Sequence, residues 1–325
     1  MKDNERINIY IIDDYISSQT NGIGTYISEL IKVLRQQPNI EIAIIEFHCT
    51  ENEFNIIKKD DIQHIIFPFL AFGVNYFEDS LSVSKLLALY IEDSAQNIFL
   101  INHSPCDKLV VSLKKMYPLS KTLFIIHDLS WTAPLLGNVE KINYIIKNRN
   151  QDTIKIEYGN ILKNIDKIIL LLNLIDYMVC LSTDTLRILQ EIYQIDKKKI
   201  FYIPNFLSDN SQKISFTERK MIKQKFHIDS DEKVLLFVGR LTTPKGIIAI
   251  VNSFRNVLKE HINCRLILSG NISSTDIIFK SNDFAFSKIS FTGQIPYEKL
   301  QDLYTIADIG IIPSYTEQCS YVGIE

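Results

Sequence analysis

The feature that most constrains the fold of this chain is the alternation of short apolar runs with segments of helical periodicity. Such runs predict buried strands, and strands that alternate with helices predict a parallel sheet wrapped by crossover helices. In the first half the predicted strands are Ile7–Asp13, Ile40–Phe47, Ile62–Phe67, Ile98–Asn102, Leu123–His127, Tyr177–Leu181 and Ile200–Ile203. The helical segments there are predicted at Ile27–Leu34, Ser80–Ile91, Asn138–Ile175 (two helices with a break near Asn150) and Thr183–Tyr193.

A second αβ series follows a polar segment at residues 208–213. A length of 325 residues suits two domains of ordinary size. We place the boundary after residue 205, which predicts Rossmann-like domains at 1–205 and 206–325. The second series is predicted as helix Glu218–Phe226, strand Lys233–Gly239, loop and helix Pro244–Lys259, strands Arg265–Ser269 and Ile289–Thr292, helix Pro296–Ala307 and strand Ile309–Pro313.

Composition excludes several classes of protein. With 46% hydrophobic and 22% charged residues the chain is globular rather than disordered. A net charge of −3, from 35 basic and 38 acidic residues, argues against a nucleic-acid binder. Five scattered cysteines without a C-x-x-C pair favour a reducing compartment over a zinc or redox site. The N-terminus lacks a signal-peptide pattern, and no apolar run is long enough to span a bilayer. We therefore predict a cytoplasmic protein.

Two cations follow a predicted buried strand in the segment Gly239-Arg240 through Lys245-Gly246. Loops at the carboxyl ends of such strands bind ligands in open αβ sheets, and the helix that begins near Gly246 offers free N–H groups to an anion. Phosphate binding is one interpretation, and solvated loop cations are the other. Farther along, Pro313-Ser314 leads to Glu317 and then to Glu325, two carboxylates able to accept hydrogen bonds from sugar hydroxyls.

Together these segments resemble the donor-site motifs G-R-x(4)-K-G and P-S-x-x-E-x(7)-E of the retaining glycosyltransferases of family GT4. The resemblance implies a GT-B fold, with two Rossmann-like domains facing across a cleft and the second incomplete. It also implies that Arg240 and Lys245 hold the diphosphate of a nucleotide sugar, that Glu325 binds the ribose, and that Glu317 lies near the anomeric carbon. No cofactor and no metal are expected, and the acceptor would be a carbohydrate, lipid-linked or other hydroxyl compound.

The chain departs from the family pattern in two places. Gln318-Cys319-Ser320-Tyr321 stands where the family often has G-F-G after the first glutamate, so a different donor-sugar preference is expected. The family also continues beyond the second glutamate, so we expect this chain to be part of a longer one. A non-catalytic nucleotide-sugar-binding or scaffold protein of the same fold, and a nucleotide-sugar epimerase, remain as alternatives.

The first domain contributes three further candidates. Gly22 and Gly24 are predicted in a loop after the first strand, and Ile27 occupies a position where a dinucleotide fingerprint needs glycine or alanine. In the family interpretation this loop faces the cleft near the phosphates or the acceptor, and the alternative is a loop that uses glycine for turn geometry. His127 ends a predicted strand, where the family histidine reaches the sugar, and a structural histidine is the alternative.

The stretch Asn138–Ile175 carries slightly more basic than acidic residues beside an apolar face. A core-facing helix pair is the favoured interpretation. Weak association with the inner face of a membrane, through this stretch, is the alternative.

Overall fold

A computed structural model describes residues 6–18, 22–68, 80–102, 107–208, 214–271 and 284–325. The chain divides into two compact units: unit 1 is Met1–Leu207 with Gln318–Tyr321, and unit 2 is Ser208–Glu317 with Val322–Glu325. Residues 209–213 of the predicted polar boundary segment lie outside the described residues.

Unit 1 is built on one sheet with the strand order β3-β4-β2-β1-β5-β6-β7-β8. Its strands are β1 (Ile7–Asp14), β2 (Ile40–Cys49), β3 (Asn55–Lys59), β4 (Ile62–Pro68), β5 (Asn97–Ile101), β6 (Lys121–Ile126), β7 (Tyr177–Cys180) and β8 (Ile200–Tyr202). Every pairing is parallel except the β3–β4 hairpin. The sequence analysis did not predict β3, because its exposed lysines and the turn at Asp60 and Asp61 have the composition of a loop.

Helices cover both faces of this sheet. They are α1 (Tyr15–Ser18), α2 (Gly22–Leu34), α3 (Ser80–Leu87), α4 (Asp107–Met116), α5 (Val139–Lys147), α6 (Asp152–Leu174) and α7 (Thr183–Arg187), which continues as a π-helical turn at Ile188–Ile192. A short 3₁₀ helix, Lys197–Lys199, precedes β8. The predicted break near Asn150 is confirmed, since α5 ends at Lys147 and α6 begins at Asp152.

The alternation of side chains along β2 shows how the two layers form. Ile42 and Ile44 join a cluster with Tyr26 and Ile27 of α2. Ile45 and Phe47, which point to the other side of the sheet, belong to a second and larger cluster that includes residues of α3 to α6. Because both faces of the strands are buried, their sequences are almost continuously apolar.

Unit 2 has a smaller parallel sheet in the described residues, with the order β11-β10-β9-β12. Its elements are α8 (Phe216–Lys225), β9 (Lys233–Val238), a 3₁₀ turn (Thr243–Lys245), α9 (Ile247–Glu260), β10 (Cys264–Ser269), α10 (Phe284–Ser287), β11 (Ile289–Gly293), α11 (Tyr297–Ile306) and β12 (Ile309–Gly310). A last turn, α12 (Tyr321–Ile324), ends the chain.

The last predicted strand is shorter than expected. The sequence predicted Ile309–Pro313, but β12 contains only Ile309 and Gly310. It is the edge strand of its sheet, with Ile309 exposed, and Pro313 lacks the N–H that would continue the ladder. The residues released from the strand form the loop that leads to Glu317.

None of the helices in the described ranges has the length and apolar composition that crossing a bilayer requires.

Candidate functional site

The candidate site of unit 2 lies where two neighbouring strands end. β9 and β12 are parallel and in register, with Leu235 opposite Ile309 and Leu236 opposite Gly310. Their carboxyl ends therefore meet at one edge of the sheet, the edge at which open αβ sheets bind ligands. The loop after β9 carries the two predicted cations, and the loop after β12 carries Glu317.

Gly246 brings these two loops into direct contact. Its φ of +75° is a left-handed conformation that side chains rarely adopt, and a Cβ built on it would lie 2.3 Å from the carbonyl oxygen of Pro313. The Tyr315 N–H also donates to the Pro244 carbonyl oxygen at 3.0 Å. The two motif loops therefore pack directly against each other at Gly246 and Pro313.

An ion pair joins the two motifs across this contact. The Nζ of Lys245 lies 2.6 Å from Oε1 of Glu317, and both side chains are about three-quarters buried, with 26% and 28% of their surface exposed. The Ser314 hydroxyl lies 2.6 Å from the same carboxylate oxygen, to which it donates a hydrogen bond. Lys245 and Ser314 therefore hold the Glu317 carboxylate in one orientation.

Arg240 is the second predicted cation, and it is exposed. Within the described part of unit 2 no ion pair or side-chain hydrogen bond to its guanidinium is present. The residue before it, Gly239, closely approaches Gly270 at the end of β10, where a Cβ on Gly270 would lie 2.0 Å from the Gly239 carbonyl oxygen. This contact leaves no room for a side chain and positions the backbone that carries Arg240.

The amino end of α9 follows Lys245 directly. Gly246 is its N-cap and supplies no side chain to accept the first N–H groups. Unsatisfied N–H groups and the positive end of the helix dipole favour an anion at such a position. Lys245, Arg240 and this helix end therefore give the loop after β9 a positive character.

Glu325 has a different neighbour. The hydroxyl of Tyr304, on α11, donates a hydrogen bond to Oε2 of Glu325. Burial, and then this hydrogen bond to the carboxylate, raise the pKa of Tyr304 far above its usual value, so its O–H remains a donor at all working pH values. No hydrogen bond or ion pair among the described residues joins Glu325 to Lys245 or Glu317.

His127 follows β6 at the carboxyl edge of the unit 1 sheet. Its Nε2 lies 3.3 Å from Oδ1 of Asn102, a buried residue whose Nδ2 donates to the Ile12 carbonyl oxygen at 3.2 Å. The ring of Tyr26 packs edge-on against the imidazole, with centroids 5.0 Å apart. The imidazole is therefore held at the strand end by α2 and by the residue after β5, and it remains partly exposed.

The prediction of a loop at Gly22 and Gly24 is wrong. Both residues lie in the first turn of α2, and neither is among the glycines with positive φ. A Cβ on Gly24 would lie 2.3 Å from the Ser18 carbonyl oxygen, and one on Gly22 would lie 3.2 Å from the ring of Tyr321. Gly24 permits the close packing of α1 on α2, and Gly22 leaves space for the ring of Tyr321, so neither glycine serves turn geometry.

The segment that departs from the family pattern belongs to unit 1. Oε1 of Gln318 accepts hydrogen bonds from the hydroxyls of Ser182, at 3.1 Å, and Thr185. Nδ2 of Asn205 donates to the Cys319 carbonyl oxygen at 2.6 Å. The Gln318 side chain therefore attaches this segment to unit 1 through hydrogen bonds that a glycine could not make.

Three residues with a part in these contacts were not predicted as site residues: Ser314, Tyr304 and Gln318. Ser314 and Gln318 lie within three positions of Glu317 in the second motif, so their place in the sequence could have indicated them as site residues. Tyr304 lies 21 positions before Glu325, and nothing local in the sequence indicates that the two side chains meet. In the described ranges no group of three or more His, Cys, Asp or Glu side chains is arranged to hold a metal ion.

Two αβ units, each built on a largely parallel sheet, are the architecture of the GT-B fold. The chain is similar in structure to sucrose-phosphate synthase from Thermosynechococcus elongatus, with a TM-score of 0.70 and 15% identity, over 98% of this chain and 78% of that one. The predicted fold class is thereby confirmed.

Residues 218–325 match the family model described as glycosyl transferases group 1, and they form a domain of that type. The chain is 30% identical over 135 residues to an uncharacterized glycosyltransferase of Methanocaldococcus jannaschii, covering 40% of this chain and 34% of that protein. It is 28% identical over 185 residues to mannosylfructose-phosphate synthase of Agrobacterium fabrum, covering 54% and 40%. The matches thus span between 34% and 40% of these relatives' length, and they confirm the resemblance seen in the motifs.

Proposed function

We propose that this protein transfers a hexose-like sugar from a nucleotide diphosphate sugar to a hydroxyl group of an acceptor. The observation that carries the proposal is the junction of the two motif loops, where Lys245 contacts Glu317 in the loop that also carries Arg240 and leads into α9. This junction combines a positive site for phosphates with a carboxylate for a sugar. The group 1 domain at residues 218–325 supports the same reaction.

In the proposed reaction Arg240 and Lys245 bind the diphosphate and stabilise the charge that develops on it as the glycosidic bond breaks. Loss of one such electrostatic contact typically costs about 10²–10³ in rate. Glu325 accepts hydrogen bonds from the ribose hydroxyls, and Tyr304 orients it. Glu317 lies beside the donor sugar, near its anomeric carbon.

The stereochemistry and the acceptor complete the proposal. The sugar is transferred with retention of the anomeric configuration and without a metal ion, and the leaving phosphate accepts the proton of the acceptor hydroxyl. His127 is the proposed sugar-binding residue of unit 1. The acceptor is a carbohydrate, a lipid-linked compound or another hydroxyl compound, as in polysaccharide or glycoconjugate assembly.

The test is a donor and acceptor matrix. The chain is incubated with UDP-, GDP- and ADP-sugars, with and without hydroxyl acceptors, and with either a chelator or added Mg²⁺. Released nucleoside diphosphate and the anomeric configuration of the product are read by NMR. Acceptor-dependent release with a retained anomer, unaffected by the chelator, is the expected result.

Three other results would contradict the proposal. A changed sugar nucleotide without an acceptor would identify an epimerase. Tight donor binding with no turnover for any acceptor would identify a binding protein of the same fold. If the chain binds none of the nucleotide sugars, the proposed donor site does not exist.

A further inference from the structure

The outward side of α6 carries large apolar residues that none of the described parts of the chain covers. The inward residues of this helix, among them Leu162 and Ile165, are buried in the core of unit 1. On the opposite side Leu170 is 67% exposed and Leu174 is 41% exposed. Two exposed lysines, 163 and 167, precede these leucines at helical spacing on the same side. The core-facing prediction for this stretch is correct, and it accounts for only one side of the helix.

The surface continues from the end of α6 onto the edge of the sheet. Nζ of Lys199 donates to the carbonyl oxygens of Asn173 and Ile175, each at 2.9 Å, which attaches the 3₁₀ helix to the end of α6. The half-exposed rings of Tyr177 and Phe201 contact each other there, with centroids 6.0 Å apart. We call this surface the α6 face, and it consists of Lys163, Lys167, Leu170, Leu174, Tyr177, Lys197, Lys198, Lys199 and Phe201.

Three carboxylates on or next to these elements, those of Asp166, Asp176 and Asp196, are engaged by other partners. Both oxygens of Asp166 accept hydrogen bonds from Arg149, at 2.9 and 2.7 Å, and Asp176 pairs with Lys114 at 2.7 Å. Asp196 caps the 3₁₀ helix through the Lys198 N–H. The lysines of the face therefore present a net positive charge to solvent.

An open groove of about 510 Å³ adjoins Leu170. Its lining includes Leu162, four cationic side chains (Arg149, Lys155, Lys163 and Lys167) and one carboxylate, that of Asp166, which pairs with Arg149. Cationic side chains beside exposed leucines match an anionic headgroup that lies above an acyl layer.

We propose that the α6 face docks unit 1 on an anionic lipid bilayer. The lysines attract the negative surface, and the leucine, tyrosine and phenylalanine side chains enter the interfacial layer. A second copy of the chain is disfavoured as the occupant because two such faces would place lysines against lysines. A nucleic acid is disfavoured because it offers nothing to Leu170 and Leu174. The proposal does not depend on the transferase activity.

The position of the face gives the docking a direction. α6 ends, and β7 and β8 begin, at the amino edge of the unit 1 sheet. His127 follows β6 at the opposite, carboxyl edge. A bilayer on the α6 face therefore leaves the carboxyl edge of this sheet accessible.

The test is cosedimentation of the chain with vesicles of phosphatidylcholine, or of an equal mixture of phosphatidylcholine and phosphatidylglycerol. We expect binding to the mixed vesicles alone, weakened as salt rises from about 0.1 M to about 1 M. The double variant Lys163→Glu/Lys167→Glu should bind more than about tenfold more weakly, since each lysine near such a surface contributes roughly fivefold. Leu170→Ser/Leu174→Ser should also lower binding.

Matched controls carry the same changes elsewhere on exposed positions: Lys58→Glu/Lys108→Glu for charge and Leu89→Ser/Ile262→Ser for apolar surface. These should bind as the unaltered chain does, and circular dichroism melts confirm that every variant is folded. Equal binding to both vesicle types, no binding, or equal loss in the controls would overturn the proposal. A dimer in sedimentation velocity that Leu170→Ser/Leu174→Ser dissociates, without vesicle binding, would assign the face to a second copy instead.

Discussion

The Lys245 ammonium lies 2.6 Å from a carboxylate oxygen of Glu317, although 72 positions separate the two residues in the sequence. The contact exists because β9 and β12 are neighbours and the loops after them meet at Gly246 and Pro313. In the free protein, Glu317 therefore pairs with Lys245, the cation that would bind the proposed donor diphosphate. In the proposed complex, the diphosphate competes with Glu317 for Lys245.

This competition predicts the effect of Glu317→Gln. A neutral amide competes less for Lys245 than a carboxylate does, so a nucleoside diphosphate without its sugar should bind about threefold to tenfold more tightly. Transfer of the sugar should be lost. Isothermal titration with UDP, GDP and ADP measures the first effect, with Glu298→Gln on the exposed side of α11 as the control. Weaker diphosphate binding by Glu317→Gln would contradict the competition.

The two cations should each contribute to diphosphate affinity. Arg240→Ala and Lys245→Ala are expected to weaken binding by about tenfold to a hundredfold, because hydrogen bonds between charged groups are stronger than neutral ones. Thermal unfolding should change little for Arg240→Ala, since Arg240 is exposed. Lys259→Ala, at the far end of α9, is the matched control. Unchanged affinity in both site variants would remove the phosphate site.

Gly246→Ala should damage both stability and binding. The left-handed conformation alone costs about 1–2 kcal/mol for a residue with a side chain, and the new Cβ would lie 2.3 Å from the Pro313 carbonyl oxygen. The free energy of unfolding should fall by at least that amount in urea titrations followed by circular dichroism. Gly310→Ala is the control, since no atom lies within 4 Å of its ideal Cβ. Equal behaviour of the two variants would show that the loop contact is not tight.

Tyr304→Phe removes only the hydroxyl that orients Glu325. A lost hydrogen bond of this kind is worth about 0.5–1.5 kcal/mol, or roughly twofold to tenfold in nucleotide affinity. The variant should also lose discrimination between a nucleoside diphosphate and its 2′-deoxy form, which a purely structural role would not change. Tyr144→Phe, at an exposed position of α5, is the control. If the variant still discriminates between the nucleoside diphosphate and its 2′-deoxy form as the unaltered chain does, Glu325 does not bind the ribose.

Asp308 should make unit 2 sensitive to acid. Burial alone would raise the pKa of Asp308, but the Val234 N–H and the Arg219 guanidinium outweigh it and hold the pKa below its usual value. The stabilisation is therefore present above about pH 4, the range of an unfolded aspartate, and is lost as the pH falls through the lower folded value.

Asp308→Asn tests this assignment. The variant should lose about 1–3 kcal/mol of unfolding free energy near neutral pH, and its difference from the unaltered chain should narrow below about pH 4. Urea titrations across this range measure the difference. Asp302→Asn, whose carboxylate has only a distant contact with Lys225 at 3.9 Å, should show little effect at any pH. A difference that stays constant with pH would mean that the charge of Asp308 contributes nothing.

Local patterns in the sequence predicted much of the architecture. The break between α5 and α6 was predicted near Asn150, and every strand except β3 was placed within a few residues of its observed bounds. The largest error among them was β12, where an exposed edge position ended the strand early. β3 and the helical start at Gly22 were missed for the same reason: polar or glycine-rich composition is typical of loops, and only packing against β4 and Ser18 shows otherwise.

The sequence by itself determined the alternation of strands and helices and the identity of the charged residues after β9 and β12, because periodicity and motif spacing are properties of neighbouring residues. Only the tertiary structure decided which of those residues meet. It pairs Lys245 with Glu317 and Tyr304 with Glu325, and it assigns Gln318–Tyr321 to unit 1. Contacts of this range depend on the order of strands in a sheet and on the close approach of loops at Gly246, and no local pattern encodes either.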